Sequence, residues 1–581
     1  MNYSGKQLSE IACVQRTSDR MVQECVVVPV PTSRFEGQKP GTSGLRKTVK
    51  VFQQKNYTEN FVQSILSAMG SGLEGSTLVV GGDGRFFMTE ATDIIIKMSA
   101  ANKVSKLIVG KGGFLSTPAV SNIIRKYKAD GGFILTASHN PGGPDADFGI
   151  KFNMSNGGPA PDAATNTMFE NTKSIQSYNI CPDLQCDFHS IGVYEYMVDG
   201  KPFTVQVIDP CADYIELMKS IFDFDQIKAL VGGEGKLKVL INSLHGATGP
   251  YAEKIFLQEL GCPPSSCIKT NVLPDFGGGH PDPNLTYAAD LVEAMRSGVH
   301  GFGAAFDGDG DRNMILGQNA FFVTPCDSLA VLANNLEHIP YFKKSGVKGF
   351  ARSMPTSAAV DRVAKKKGLE CFDTPTGWKY FGNLLDAGRI SICGEESFGT
   401  GSDHVREKDG IWAALAWLQI LASKNTTVEE LLKEHWTEFG RNFFTRYDYE
   451  GCESKPCEQM MKNLEAYISD PASIGKVYTA LGKSYTVSAA DNFSYIDPVD
   501  GSTASKQGIR IMFSDGSRLV FRLSGTGSSG ATVRMYVDSY ENSPDKLFGS
   551  AQEMLAPCVE VGLIISQLRE LTGRQEPTVI T

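Results

Sequence analysis

The segment Asp307-Gly-Asp309-Gly-Asp311-Arg312 places three carboxylates at alternate positions with glycines between them, so that one tight loop can converge all three. Crowding like charges is costly unless a cation sits among them. An all-oxygen donor set selects a hard ion such as Mg2+ or Ca2+. An EF-hand does not fit. Its loop needs glycine at the sixth position and glutamate at the twelfth, where this chain has Arg312 and Gln318. The competing reading is a solvated acidic turn.

Ser138 ends an apolar run, Ile134-Leu135-Thr136-Ala137, and enters a turn marked by Asn140-Pro141-Gly142-Gly143. A hydroxyl there is expected to be exposed, flanked by free backbone N–H groups, and able to carry a covalent group. No G-x-S-x-G surrounds it, and His139 is adjacent in sequence without needing to face it, so a Ser-His-Asp hydrolase is not expected. Taken alone, a serine in a turn is more commonly structural than catalytic. The string RLSGTGSSGATVR (522–534) matches G-x-G-x-x-G. Strands are expected on both sides of it and no helix begins there, so a dinucleotide fingerprint is the wrong reading. An anion nest is the better one: Ser524, Thr526 and glycine amides line it, and the forked guanidiniums of Arg522 and Arg534 close it. A plain glycine-rich turn is the alternative. GEESFG (394–399), with Lys408 farther along the same segment, offers carboxylate and hydroxyl groups for sugar hydroxyls or simply a solvated loop. GTSGLRK (41–47) and TPTGWK (374–379) carry turn cations that suit phosphate or sugar contacts, or merely solvent.

These loops need elements to hold them. Short β-branched runs alternate with helical stretches, the pattern of βαβ units. One set comprises TLVVGGDGR, KLIVGKGG and GGFILTASHN; a second runs from KLKVLINSLHG to HGFGAAFDGDGDR; a third from VKGFARSMPT through LECFDTPTG to ISICGEESFG. Each places a polar, glycine-containing loop after an apolar strand, where open α/β sheets bind ligands. The C-terminal stretch differs. GIRIMFSDGSRLVFRLSG alternates across a Ser-Asp-Gly-Ser turn, an antiparallel hairpin, with ATVRMYVDSY as a third strand and a closing helix. Residues 1–25 read as a loosely attached polar extension.

At 581 residues the chain exceeds what one core supports. With 41% hydrophobic and 21% charged residues it has globular composition. A net charge of −9, without a basic face, argues against nucleic acid as the partner. Thirteen cysteines without a CxxC pair read as reduced thiols rather than a disulfide framework or zinc site. No signal-peptide core opens the sequence and no run reaches the length of a membrane span, so a cytoplasmic location is expected.

Taken in order, KPGTSGLRK, TASHNPGG, DFGIKFN, DGDGDR, TPTGWK, GEESFG and RLSGTGSSGATVR closely resemble the α-D-phosphohexomutase superfamily, in particular its eukaryotic phosphoglucomutase type, from about Val28 onward. The resemblance implies three related mixed α/β domains plus a smaller C-terminal α+β domain around a central cleft. The expected boundaries are 1–211, 212–323, 324–441 and 442–581. It also implies interconversion of glucose 1-phosphate and glucose 6-phosphate, with glucose 1,6-bisphosphate as intermediate and activator and one Mg2+ per chain. By position, Ser138 resembles the phosphoryl-bearing serine and a further metal ligand beside Asp307, Asp309 and Asp311. His139 and Lys151 resemble residues of proton transfer, and Arg312 is expected near the phosphoserine. Glu395 and Ser397 match the loop that holds sugar hydroxyls. Arg522, Ser524, Thr526, Gly527 and Arg534 match the site for the non-reacting phosphate. Thr42, Arg46, Thr376, Gly377 and Lys408 are implied secondary contacts. The expected partners are small sugar phosphates only, for a monomer or dimer. Two alternatives stand: a mutase of mannose or amino-sugar phosphates, against which GEESFG speaks, and a parafusin-like member acting in regulated exocytosis.

Overall fold

The computed structural model describes residues 22–41, 43–527 and 530–581, with the side chains of 525–527 also left aside. Thr42 and most of the N-terminal extension lie outside the described residues. The expected loose extension ends earlier than position 25. Gln23–Cys25 is already a strand, parallel to Gly192–Val198 at the edge of the first sheet.

Three sheets repeat one arrangement. In the first, of eight strands, Thr77–Gly82, Lys106–Phe114 and Gly131–Leu135 are parallel neighbours, and Asp147–Met154 returns antiparallel to Gly131–Leu135. In the second, Val239–Asn242 and Phe302–Phe306 are parallel and Asn313–Gly317 returns antiparallel. In the third, Gly349–Ser353 and Ile392–Gly394 are parallel and Thr400–Ser402 returns antiparallel. The return loop after the last parallel strand carries Ser138 in the first sheet, the three aspartates in the second, and Glu395 with Ser397 in the third. The layouts read from the sequence are thus one backbone device used three times. The strands that precede these loops are buried along their whole length, which is why they read as continuous apolar runs rather than alternating ones.

The fourth sheet is antiparallel, of seven strands, and contains the anticipated hairpin between Ile509–Phe513 and Arg518–Gly527, followed by Gly530–Glu541. Helices Ser454–Ser469 and Ala551–Ser566 cover one face, sharing a core with the strands' inward residues. That core is separate from the main one. A single apolar cluster runs from helix Thr117–Tyr127 of the first sheet through the second and third, and includes Trp412 and Trp417. Both tryptophans sit on helix Gly410–Lys424, capped at its N-terminus by the Asp409 side chain. The helix is apolar all round because it lies inside. The first three sheets therefore share one continuous interior, and the fourth joins it through a small apolar cluster of Met354 with Phe493, Tyr495, Val520 and Tyr536, and through polar contacts. Among these are Arg510 Nη1 to Asp373 at 3.1 Å and Asp538 Oδ2 accepting from the Ala358 amide at 3.1 Å.

Candidate active site

Ser138 is held from three sides. Its backbone has φ +54°, a left-handed conformation that a serine keeps only when its surroundings impose it. The Thr136 hydroxyl accepts from its amide at 2.7 Å, and that hydroxyl in turn donates to Asp83 Oδ2 at 2.6 Å. Arg85, paired with Asp83 at 2.8 Å and fully buried with it, donates Nη2 to the Ser138 carbonyl at 2.8 Å. Two expectations are corrected here. The serine is buried, at 3% exposure, and its N–H is not free, because a turn pressed between two domains closes over it. His139, which the spacing left free to point either way, faces the serine, with Nδ1 3.3 Å from Ser138 Oγ. Burial first, then Arg312, Arg46 and Lys408, push the His139 pKa well below its ordinary value, leaving a neutral imidazole.

Ser138 Oγ donates to Asp307 Oδ2 at 2.9 Å, across 169 positions of sequence. Asp307, Asp309 and Asp311 are all buried, with one oxygen from each within 4.8 Å of the others. Gly308 lets the two loops meet, for a Cβ there would lie 2.6 Å from the Ser138 carbonyl oxygen. Burial, with Asp309 and Asp311 beside it, drives the Asp307 carboxyl well above the usual range. Burial also pushes Asp309 up, but its hydrogen bond from Thr117 Oγ1 at 2.7 Å and the charges of Lys408 and Lys151 hold it below. Asp309 Oδ1 and Asp311 Oδ1 have no hydrogen-bond partner among the described residues. Buried carboxylate oxygens left without donors and gathered at one point fit a hard divalent cation. Lys408 Nζ, 3.1 Å from Asp311 Oδ2, supplies part of the balancing charge.

His139, Asp309, Asp311 and Lys408 of this group line a cleft of about 500 Å3, while Ser138 and Asp307 are buried behind them and are not among its lining residues. Arg46, His139, Lys151, Arg312, Thr376, Gly377, Glu395, Ser397, Lys408, Arg522 and Arg534 all line it, along with Asp309 and Asp311. Ser524 stands on the same strand as Arg522, opposite Thr532. The Gly527 backbone pairs with Gly530, while the Thr526 side chain lies outside the described residues, as does Thr42. Glu395 Oε1 accepts the Gly377 amide at 3.1 Å, joining two of the loops. The Glu395 carboxyl is raised by burial against the opposing pull of Lys408. Arg46 Nε and Arg312 Nε are buried without a hydrogen-bond acceptor among the described residues, so guanidinium donors wait for an anion.

Several residues escaped the sequence reading. Glu407, 1% exposed, pairs with Lys151 and accepts Asn153 Nδ2 at 2.8 Å, tying the first domain to the third. Burial raises its carboxyl and Lys151 opposes that. Its neighbour Lys408 drew notice, and a charged triplet, Arg406-Glu407-Lys408, just before a helix cap was the available signal. Asp83 and Arg85 follow a buried strand in TLVVGGDGR, a place where paired charges deserve suspicion. Asp282, 3.4 Å from Arg312 Nη1, and Arg446, 3.0 Å from Asp448, also line the cleft. Nothing in their local spacing marks them.

Comparison with known proteins agrees with this geometry. Family models for phosphoglucomutase/phosphomannomutase alpha/beta/alpha domains I, II and III match residues 37–179, 212–320 and 325–439. The model for the phosphoglucomutase-1 C-terminal domain matches 441–578. Phosphoglucomutase 1 of Drosophila melanogaster is 61% identical over 95% of this chain and 99% of its own. Phosphoglucomutase-1 of Homo sapiens is 58% identical over 96% and 100%. The open form of the exocytosis-sensitive phosphoprotein parafusin, a phosphoglucomutase from Paramecium, superposes with a TM-score of 0.88. It is 47% identical over 96% of this chain and all of its own. With four family models laid end to end and relatives this similar over nearly the full length, the chain belongs to the phosphoglucomutase family of the phosphohexomutases.

Proposed function

We propose that this phosphoglucomutase carries its phosphoryl group on Ser138 and moves it between the two ends of glucose 1-phosphate and glucose 6-phosphate. The observation that carries the reading is one cleft with two anion stations. Ser138 Oγ, 2.9 Å from Asp307, lies beside the lining residues His139, Asp309 and Asp311, and Arg522 and Arg534 line the same cleft from the fourth domain. A hydrolase needs only the first station. A mutase needs both, because one phosphate must be held while the other reacts.

In the first half-reaction the 6-hydroxyl of glucose 1-phosphate attacks phosphoserine 138. The bond from phosphorus to Oγ breaks and a bond to O6 forms. Such transfer depends on alignment and charge neutralisation more than on covalent help from the protein. The Lys151–Glu407 pair is assigned to the proton of the attacking hydroxyl, which passes to Lys151 Nζ as that ammonium hands one of its own protons to the Glu407 carboxylate. His139 Nδ1, 3.3 Å from Oγ, is assigned to the proton that Oγ regains. A Mg2+ held by Asp307, Asp309, Asp311 and an oxygen at Ser138 would withdraw charge from the transferred group. The product, glucose 1,6-bisphosphate, turns over within the cleft so that its 1-phosphate faces Ser138. Arg522 and Arg534 grip the other phosphate in either orientation through forked donors. The second half-reaction returns the 1-phosphoryl to Oγ and leaves glucose 6-phosphate. Glu395 and Ser397 are assigned to the sugar 3- and 4-hydroxyls.

A coupled assay for glucose 6-phosphate, primed with glucose 1,6-bisphosphate, tests the assignment. Wild type is expected to turn over and Ser138→Ala to lose activity by several orders of magnitude; equal rates would remove Ser138 from the role.

A further inference from the structure

The second domain contains a cavity of about 590 Å3 that takes no part in the chemistry above. Its size lies within the range of ordinary small-molecule sites, about 300–1,000 Å3. Val231, Leu237, Val239, Pro263 and Val299 give it apolar walls. His300 lines the cavity as well, with its Nδ1 closed off from solvent. Lys236 and Lys238 also line the site, and neither ammonium is ion-paired among the described residues. Lys238 is near enough to His300 to help burial push the imidazole pKa down. Against these stands one acid, Glu234. One lip is a turn over 232–236 in which Gly233 and Gly235 have φ +96° and +75°, conformations that suit glycine and keep the turn open.

The site is separated from the catalytic cleft by the length of the sheet. Gly301 N donates to Lys238 O at 2.9 Å, and Val239 pairs with Phe302, so the cavity lies where two parallel strands begin. Those strands end at Asn242 and Phe306, and Asp307 follows directly. At the pitch of a strand, His300 and Asp307 are roughly 20 Å apart.

We propose that this cavity is a second small-molecule site, taking a compact apolar body that bears a single anionic head, such as an aryl carboxylate or sulfonate. The apolar walls receive the body, and the two lysines complement the charge of its head. The test is a fluorescence titration of the full chain with 8-anilinonaphthalene-1-sulfonate, in the presence of saturating glucose 1,6-bisphosphate to occupy the cleft. One saturable site is expected to persist. Val299→Trp, at a position 53% exposed, should block the cavity and abolish that site with the melting temperature unchanged. Lys238→Glu should weaken binding about tenfold and remove most of its salt dependence. Loss of the signal on adding the bisphosphate, or no saturable site in the wild type, would overturn the proposal. Unaltered affinity in Lys238→Glu would do the same, whether or not Val299→Trp folds.

Discussion

Replacing Glu407 by Gln keeps the shape of a buried side chain and removes the charge that faces Lys151. Glu407 is 1% exposed and Lys151 7%, so little water is available to take over the lost interaction. The amide can still accept Asn153 Nδ2, now held at 2.8 Å, so the backbone around it should stay in place. What is lost is one hydrogen bond between charged groups, about 1.5–3 kcal/mol. Breaking one side of a buried ion pair can reach about 3–5 kcal/mol when the remaining charge cannot relax. If Lys151 handles the hydroxyl proton only when Glu407 fixes it, that loss appears in the transition state. At about 1.4 kcal/mol per tenfold, kcat should fall roughly 10- to 150-fold, with KM for glucose 1-phosphate little changed. The coupled assay at saturating glucose 1,6-bisphosphate reads both constants. Because burial raises the Glu407 carboxyl, protonation reaches it above the ordinary glutamate range. The wild-type rate should therefore fall as pH drops through that raised value, and Glu407→Gln should lack this acid limb. Lys151→Met and the double variant complete a cycle in which the two losses should be far from additive. A kcat within twofold of wild type, or additive losses, would refute the idea that Glu407 acts through Lys151.

Mg2+ is expected to raise the melting temperature of the wild type, and Asp309→Asn should abolish that rise and reduce kcat by at least a hundredfold; an undiminished Mg2+ shift in a calorimetric scan would take Asp309 out of the proposed metal site. Gly308→Ala should lower kcat strongly while leaving circular dichroism unchanged, because its Cβ would press the Ser138 carbonyl from 2.6 Å and displace the serine loop. An unaffected rate would mean the loops have slack. Burial tends to raise the Asp361 carboxyl, but Arg352, bonded to both of its oxygens at 2.7 and 2.8 Å, holds it at about 2. A depressed carboxyl stabilises the fold above its unfolded pKa and loses that contribution as pH falls toward the folded value. With the side chain 39% exposed, solvent screening leaves roughly 1 kcal/mol of the effect. Asp361→Asn should melt lower than wild type at pH 7, and the gap should close between pH 4 and 2; a gap independent of pH would contradict the pairing.

The parts legible in the sequence are those in which chemistry and chain neighbourhood coincide. Three aspartates at alternate positions share a loop whatever the rest of the chain does, and Arg522 and Arg534 flank their glycine loop because paired strands carry them there. Apolar runs ending in polar turns revealed the three α/β layouts, since burial on both faces leaves a mark on every residue of a strand. What joins those pieces left no local mark. Ser138 meets Asp307 across 169 positions, Asp309 takes the Thr117 hydroxyl across 192, and Lys151 meets Glu407 across 256. Spacing along the chain carries no information about such pairs, because they follow from how sheets stack on one shared interior. The burial of Ser138 and its positive φ belong to the same class: the sequence by itself determined that a serine, an acidic loop and an arginine-flanked loop exist, and only the packing of the first domain on the second decided that the serine lies buried against a carboxylate.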